Sequence, residues 1–84
     1  MYSVYFLNSQ KNNDLYIGST EDIENRLKLH NSGRVRSTKS QRPWKLLGYE
    51  LYNSRGEAVR RERFLKSHQQ REILKKKYGL VAKW

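Results

Sequence analysis

Two stretches rich in aromatic and β-branched residues, Tyr2 to Leu7 and Leu15 to Ile17, are separated by a short run of polar turn formers from Ser9 to Asn13. Side chains of these types suit the pleated, half-buried surface of a strand, and so short a connection brings two strands together antiparallel. A hairpin is therefore the first fixed point of the fold. If Asn8 opposes Asn13 across a four-residue loop, counting back along both strands puts Tyr5 opposite Tyr16. Opposed residues point the same way, so this register predicts two phenols on one sheet face. A slip of one residue would send them to opposite faces.

The hairpin leads directly into a helical pattern. Thr20 is read as the N-cap, with Glu21 and Asp22 in the first turn, where negative charge suits the positive end of the helix dipole. The helix runs to about Asn31 and stops before Gly33. Ile23, Arg26, Leu27 and His30 follow i, i+3, i+4, i+7 spacing and share a face, so Arg26 and His30 flank the surface that docks on the sheet. From Gly33 to Trp44 the chain carries Arg34, Arg36, Lys39 and Arg42 among Ser and Thr, with no acidic residue and no apolar period; this reads as a cationic loop.

Lys45 to Tyr52 returns to strand character and supplies a third strand. Ser54 caps a second helix whose periodic positions are Ala58, Glu62 and Leu65, with Val59 alongside. Glu62 takes a slot that pattern alone would give to Leu or Ile, where a charge is costly unless something binds it. Ser67 opens a third helix through Ile73 and Leu74 to about Tyr78, with Gly79 as its stop. The order strand, strand, helix, strand, helix, helix describes one compact α+β unit over residues 1–84.

Composition now limits the chemistry. A chain of 84 residues buries only about 60–65% of its unfolded surface, so the core is small. Eighteen Lys and Arg against eight Asp and Glu give a net charge of +10, which points to a polyanionic partner, nucleic acid before an anionic membrane surface. Nine of those cations and only three Glu lie between Arg55 and Lys77. The absence of cysteine excludes disulfides and thiolate zinc sites, and two histidines far apart make a histidine cage improbable. Any metal is expected to be hard and oxygen-bound, such as Mg²⁺ or Mn²⁺. No apolar run approaches a membrane span and no leader is evident, so the chain is expected to be soluble and cytoplasmic.

The ordered set Ser3-Val4-Tyr5, Tyr16-Ile17-Gly18, Arg26-Leu27-Lys28-Leu29-His30-Asn31 and Ala58 with Glu62, Leu65 and Lys66 resembles the GIY-YIG nuclease family. It is most similar to small stand-alone members related to the N-terminal nuclease domain of the excision-repair subunit UvrC. The resemblance covers Tyr2 to about Lys76 and implies a three-stranded antiparallel sheet flanked by helices, with one divalent ion at the site. It makes Tyr5 and Tyr16 the motif tyrosines, Arg26 the helix arginine, His30 the helix histidine and Glu62 the metal-binding glutamate. Glu62 would hold Mg²⁺ or Mn²⁺ to polarise the scissile phosphate, and Arg26 would bind its non-bridging oxygens. Either tyrosine, Tyr5 before Tyr16, would deprotonate or orient the attacking water, with His30 bonded to a phenol. A phenol with an ordinary pKa near 10 is a poor base, so this reading expects that pKa to fall.

Each residue has a plainer reading, as packing tyrosine, solvated arginine, helix-end histidine or surface glutamate paired to Arg61, Arg63 or Lys66. Their joint occurrence at these spacings favours the enzyme. Departures from the family pattern are Ser-Val-Tyr for Gly-Ile-Tyr, Ser19 where some relatives carry lysine, and no asparagine after Asn53. The expected substrate is DNA, with branched and single-stranded forms as candidates, gripped with low sequence specificity by Arg34, Arg36, Lys39, Arg42, Arg60, Arg63 and Lys66 through phosphate contacts. A protein partner could supply specificity. Trp44, Tyr49 and Tyr52 are candidates for base stacking, with a core role the leading reading of each. The rival functions are a non-catalytic nucleic-acid-binding module with the same fold, and a basic structural or ribosome-associated protein.

Overall fold

Because β1 (Tyr2–Ser9) pairs on both sides, it carries the densest burial in the chain, with every residue from Ser3 to Ser9 inaccessible. The computed structural model describes residues 1–80 and sets β1 between β2 (Leu15–Thr20) and β3 (Trp44–Tyr52) in an antiparallel sheet of order β2-β1-β3. Helices α1 (Ile23–Ser32), α2 (Arg55–Leu65) and α3 (His68–Lys77) complete the α+β fold anticipated from the sequence. A short 3-10 turn at Lys39–Gln41 interrupts the cationic segment that had read as loop throughout.

The hairpin closes at Ser9 and Asp14, not at Asn8 and Asn13. Ser9 N–H donates to the Asp14 carbonyl and Asn13 N–H donates back to the Ser9 carbonyl, each at 2.9 Å. The loop still has four residues, but it is 10–13, one step further along. Two local features draw it there. Asn13 adopts φ 64, a left-handed conformation that asparagine tolerates better than most residues. The buried Ser9 hydroxyl accepts from the N–H groups of Lys11 and Asn12, tying down the start of the turn. Asn8 and Asn13 meet through their side chains instead, at 3.0 Å. The register moves by two residues, so Tyr5 faces Gly18 and Tyr16 faces Leu7. Since a shift of two keeps the face, both phenols remain on one side of the sheet.

Alternation along β1 then builds two cores. Val4 and Phe6 point to one side and pack with Leu15, Ile17, Ala58, Leu65 and Leu74, beneath α2 and α3. Tyr5 and Leu7 point to the other and pack with Trp44, flanked by Tyr16, Ile23, Leu27 and Leu46, beneath α1. The apolar stripe expected of α1 is thus the one it buries. Its N-cap is Asp22, whose carboxylate accepts from Asn25 N–H at 3.1 Å; Thr20 lies two residues too early and instead accepts from Asp22 N–H. Gly33 ends the helix at φ 83. Ser54 and Ser67 cap α2 and α3 as their positions predict.

Candidate active site

On the α1 face, three side chains form a chain of hydrogen bonds through the core. The Tyr5 hydroxyl lies 3.0 Å from His30 Nε2, and His30 Nδ1 lies 2.8 Å from Thr38 Oγ1. Tyr5, His30 and Thr38 are each almost wholly buried. The proton positions follow from the last link. The Thr38 hydroxyl donates to the Val35 carbonyl at 3.3 Å, so its oxygen accepts from His30 Nδ1–H. Nε2 then carries the lone pair, and Tyr5 O–H donates to it. Burial, reinforced by the positive charge of Arg26, pushes the His30 pKa down to about 4, which keeps the ring neutral and able to accept.

Burial also pushes the Tyr5 phenol up to about 12, against the opposing pull of the Arg26 guanidinium. This is the reverse of the fall anticipated from the sequence: a positive neighbour is present, but loss of solvent outweighs it. Arg26 is half-buried beside both phenols, and the neighbouring Tyr5 hydroxyl raises its own pKa. Tyr16 completes the cluster, its ring 6.2 Å from that of Tyr5 and edge-on to His30 at 4.9 Å.

Gly18 makes this arrangement possible. A Cβ at that position would lie 2.5 Å from the Tyr5 hydroxyl and 3.0 Å from the Tyr16 ring. Directly opposite Tyr5 in the ladder, the glycine leaves the space in which the phenol lies. Its role could have been found in the sequence once the register was known.

Glu62 reaches the site from the opposite face. Ser19 opposes Val4 and so belongs to the α2 side of the sheet, where its hydroxyl donates to Glu62 Oε1 at 2.6 Å. Lys66, one turn along α2, holds Oε2 at 2.6 Å. Since β2 is an edge strand, the two faces meet around it at Gly18 and Ser19, and the Glu62 charge contributes to raising the Tyr5 pKa. The costly slot in the helical stripe is therefore a polar notch at the sheet edge. Ser19, which the sequence marks only as a missing lysine, is the residue that orients the carboxylate.

Glu62 is the carboxylate that could hold a divalent ion here, and no group of three or more His, Cys, Asp or Glu gathers among the described residues. The donor chemistry fits a hard ion. One Glu62 oxygen is fixed by a hydroxyl, and the other already attracts a cation whose side chain is 45% exposed and free to swing aside. Mg²⁺ commonly binds through one or two carboxylates and keeps several waters.

The remaining sequence candidates separate. Arg36, Lys39 and Arg42 line one cleft, whereas Arg34, Arg60 and Arg63 are exposed outside its lining. Lys66 is engaged by Glu62. Among the three aromatics, Trp44 is buried, donating its indole N–H to the Thr38 carbonyl at 3.0 Å, and Tyr52 donates to Glu50 at 2.7 Å. Tyr49, 54% exposed, is the one that offers an open ring face.

Comparison with known proteins gives a consistent result. The model of the GIY-YIG catalytic domain matches residues 1–78. A UPF0213 protein of Staphylococcus haemolyticus is 39% identical over 66 residues, covering 77% of this chain and 80% of that one. One from Clostridium perfringens is 37% identical over 67 residues, covering 79% and 71%. The solution NMR structure of a UPF0213 protein from Bacillus halodurans superposes with a TM-score of 0.54 at 32% identity, covering 88% of this chain and 82% of that one.

Proposed function

The chain belongs to the GIY-YIG catalytic-domain family, and on that premise we propose that it is a divalent-metal-dependent endonuclease that hydrolyses phosphodiester bonds in DNA. The observation that carries this reading is the Tyr5 hydroxyl bonded to a neutral His30, itself fixed by Thr38, beside a guanidinium with no carboxylate partner among the described residues.

Arg26 binds the non-bridging oxygens of the scissile phosphate, and its planar fork holds them as negative charge accumulates. Tyr5 takes a proton from the attacking water while passing its own to His30 Nε2. A relay of this kind lets the phenol act without resting as phenolate, which its raised pKa would forbid near neutrality. Thr38 keeps the His30 proton on Nδ1, so that Nε2 faces Tyr5 with its lone pair. Tyr16 packs edge-on against His30 and holds the ring plane. Glu62, oriented by Ser19, would hold Mg²⁺ or Mn²⁺, which supplies Lewis-acid polarisation of the phosphate and stabilises the leaving oxygen.

Sequence specificity is low in this reading, because the exposed cations make phosphate contacts that position a strand without reading bases. The protein acts in the cytoplasm, and a partner protein directs it to its DNA structures. No helix among the described residues is long and apolar enough to cross a membrane. The test is cleavage of labelled single-stranded, duplex and branched DNA with Mg²⁺, Mn²⁺ or EDTA. Metal-dependent cutting that disappears in EDTA is expected; binding without cutting on all three substrates would replace the enzyme with a non-catalytic module.

A further inference from the structure

A cleft of about 550 Å³ opens between the β1–β2 turn and the segment that follows α1, and its charged lining is wholly cationic: Lys11, Arg36, Lys39 and Arg42. None of the four pairs with an acidic side chain among the described residues. Like charges gathered in one concavity repel. Two of the four are anchored to backbone carbonyls. Lys11 Nζ donates to the Ser40 carbonyl at 3.1 Å, and Arg42 Nε donates to the Lys39 carbonyl at 2.9 Å. The walls are stitched as well. Ser9 Oγ donates to the Gln41 carbonyl at 2.6 Å, Gln10 N–H to the Pro43 carbonyl at 2.8 Å, and Gln41 Nε2 to Asp14 at 3.0 Å. Asn31 closes the base, with its side chain bonded to both the N–H and the carbonyl of Trp44.

A set of cations without a paired carboxylate, two of them anchored in an open concavity, is the arrangement that takes a phosphate. The acidic residues Glu21, Asp22 and Glu24 line a different groove beside Tyr49 and Leu51, and the Asp14 carboxylate at the wall of this cleft is engaged by Gln41 and Arg71. The cleft also abuts the reacting groups. Thr38, which holds His30, immediately precedes Lys39, and its carbonyl accepts from Trp44.

We propose that this cleft is a second phosphate site, which grips a backbone phosphodiester of the substrate strand apart from the scissile one. The inference rests on the nuclease reading for its substrate, but it concerns binding and can be tested without cleavage. Lys11, in the polar β1–β2 turn, joins the nucleic-acid interface.

The experiment is equilibrium binding of a fluorescein-labelled single-stranded 20-mer and a 20-bp duplex in EDTA across a NaCl series. The proteins are the wild type, Lys39→Gln/Arg42→Gln, Lys11→Gln/Arg36→Gln, and a charge-matched control, Lys28→Gln/Lys45→Gln. Both cleft variants should bind about tenfold more weakly than the control, with the slope of log affinity against log salt reduced by about 1. Equal losses in cleft and control variants, or an unchanged slope, would overturn the site. Two independent cleft variants guard against a folding defect in either, which circular dichroism would expose. Oligonucleotides with a 5′-phosphate or a 5′-hydroxyl distinguish the source of the phosphate: equal affinity supports an internal phosphodiester, while a tenfold preference for the 5′-phosphate would overturn it in favour of a terminal phosphomonoester. If cleft binding behaves as expected but no substrate is cut with Mg²⁺ or Mn²⁺, the enzymatic reading fails and the cleft stands. Cutting with unaltered binding in the cleft variants has the opposite meaning.

Discussion

The two halves of the candidate site are built on opposite principles. On the α1 face, Tyr5, His30 and Thr38 are almost wholly buried and joined in a continuous run of hydrogen bonds that ends on the Val35 carbonyl. On the α2 face, Glu62 sits in a notch at the edge of β2, with a hydroxyl on one oxygen and an exposed, exchangeable ammonium on the other. The contrast fits two different tasks. Proton transfer needs fixed tautomers and short, dry hydrogen bonds, whereas an ion that brings its own water needs an approachable carboxylate. In the proposed mechanism these needs fall on different faces of one small sheet, which meet around its edge at Gly18 and Ser19.

The comparison is sharpened most by removing the group that belongs to neither proton relay nor metal notch. Arg26→Ala should lower single-turnover cleavage by about 10³-fold while Mn²⁺ binding, followed by electron paramagnetic resonance, stays at the wild-type level. A matching loss of Mn²⁺ binding would mean that the halves are not separable. The sealed half can be attacked through its missing side chain. Gly18→Ala places a methyl group against the Tyr5 hydroxyl and should slow cleavage about 100-fold. Overpacking at that position should also destabilise the fold by about 2 kcal/mol, read from urea unfolding.

The sealed half alone should also carry a pH signature. His30 has a pKa of about 4 in the folded protein against 6.5 when exposed, so between those values the unfolded chain binds more protons. Stability from this group is full above pH 6.5 and declines as pH falls towards 4, with about 2 kcal/mol already lost at pH 5. The wild-type Tm should therefore fall more between pH 7.5 and pH 5 than that of His30→Gln. Parallel curves would show that the imidazole is not held neutral. The open half should give the smallest effect. Ser19→Ala should weaken Mn²⁺ binding about tenfold with little change in Tm, and Ser19→Thr should restore it.

The sequence made the order of the elements legible because each carries its own local signal. Strand residues cluster at Tyr2–Leu7, serines stand at both later helix caps, and a glycine ends α1. The five candidate residues are legible through their spacing and the resemblance it supports, and four of them, Tyr5, Tyr16, Arg26 and His30, gather on the α1 face with Glu62 across the sheet edge. What escaped was decided by partners distant in the chain. Thr38 lies in a segment without periodicity and earns its place only by meeting His30 and the Trp44 indole. Ser19 looked like a lost lysine until Glu62, 43 residues later, was found bonded to it. Lys11 gained meaning from the loop across the turn. The hairpin register differs from the simple count by two residues because the loop closes one residue further along, where Asn13 takes a left-handed turn position and Ser9 caps the turn, preferences weaker than the strand pattern that framed them. The direction of the Tyr5 shift was misjudged for a related reason: Arg26 is visible in the helix spacing, but the depth of burial that outweighs it is not.

The most direct test pairs Tyr5→Phe with Glu62→Ala and measures both single-turnover cleavage and Mn²⁺ binding for each. The division of labour predicts that neither variant cuts, that Tyr5→Phe still binds Mn²⁺ like the wild type, and that Glu62→Ala does not. Cutting at the wild-type rate by Tyr5→Phe, or metal-dependent cutting by Glu62→Ala, would contradict it.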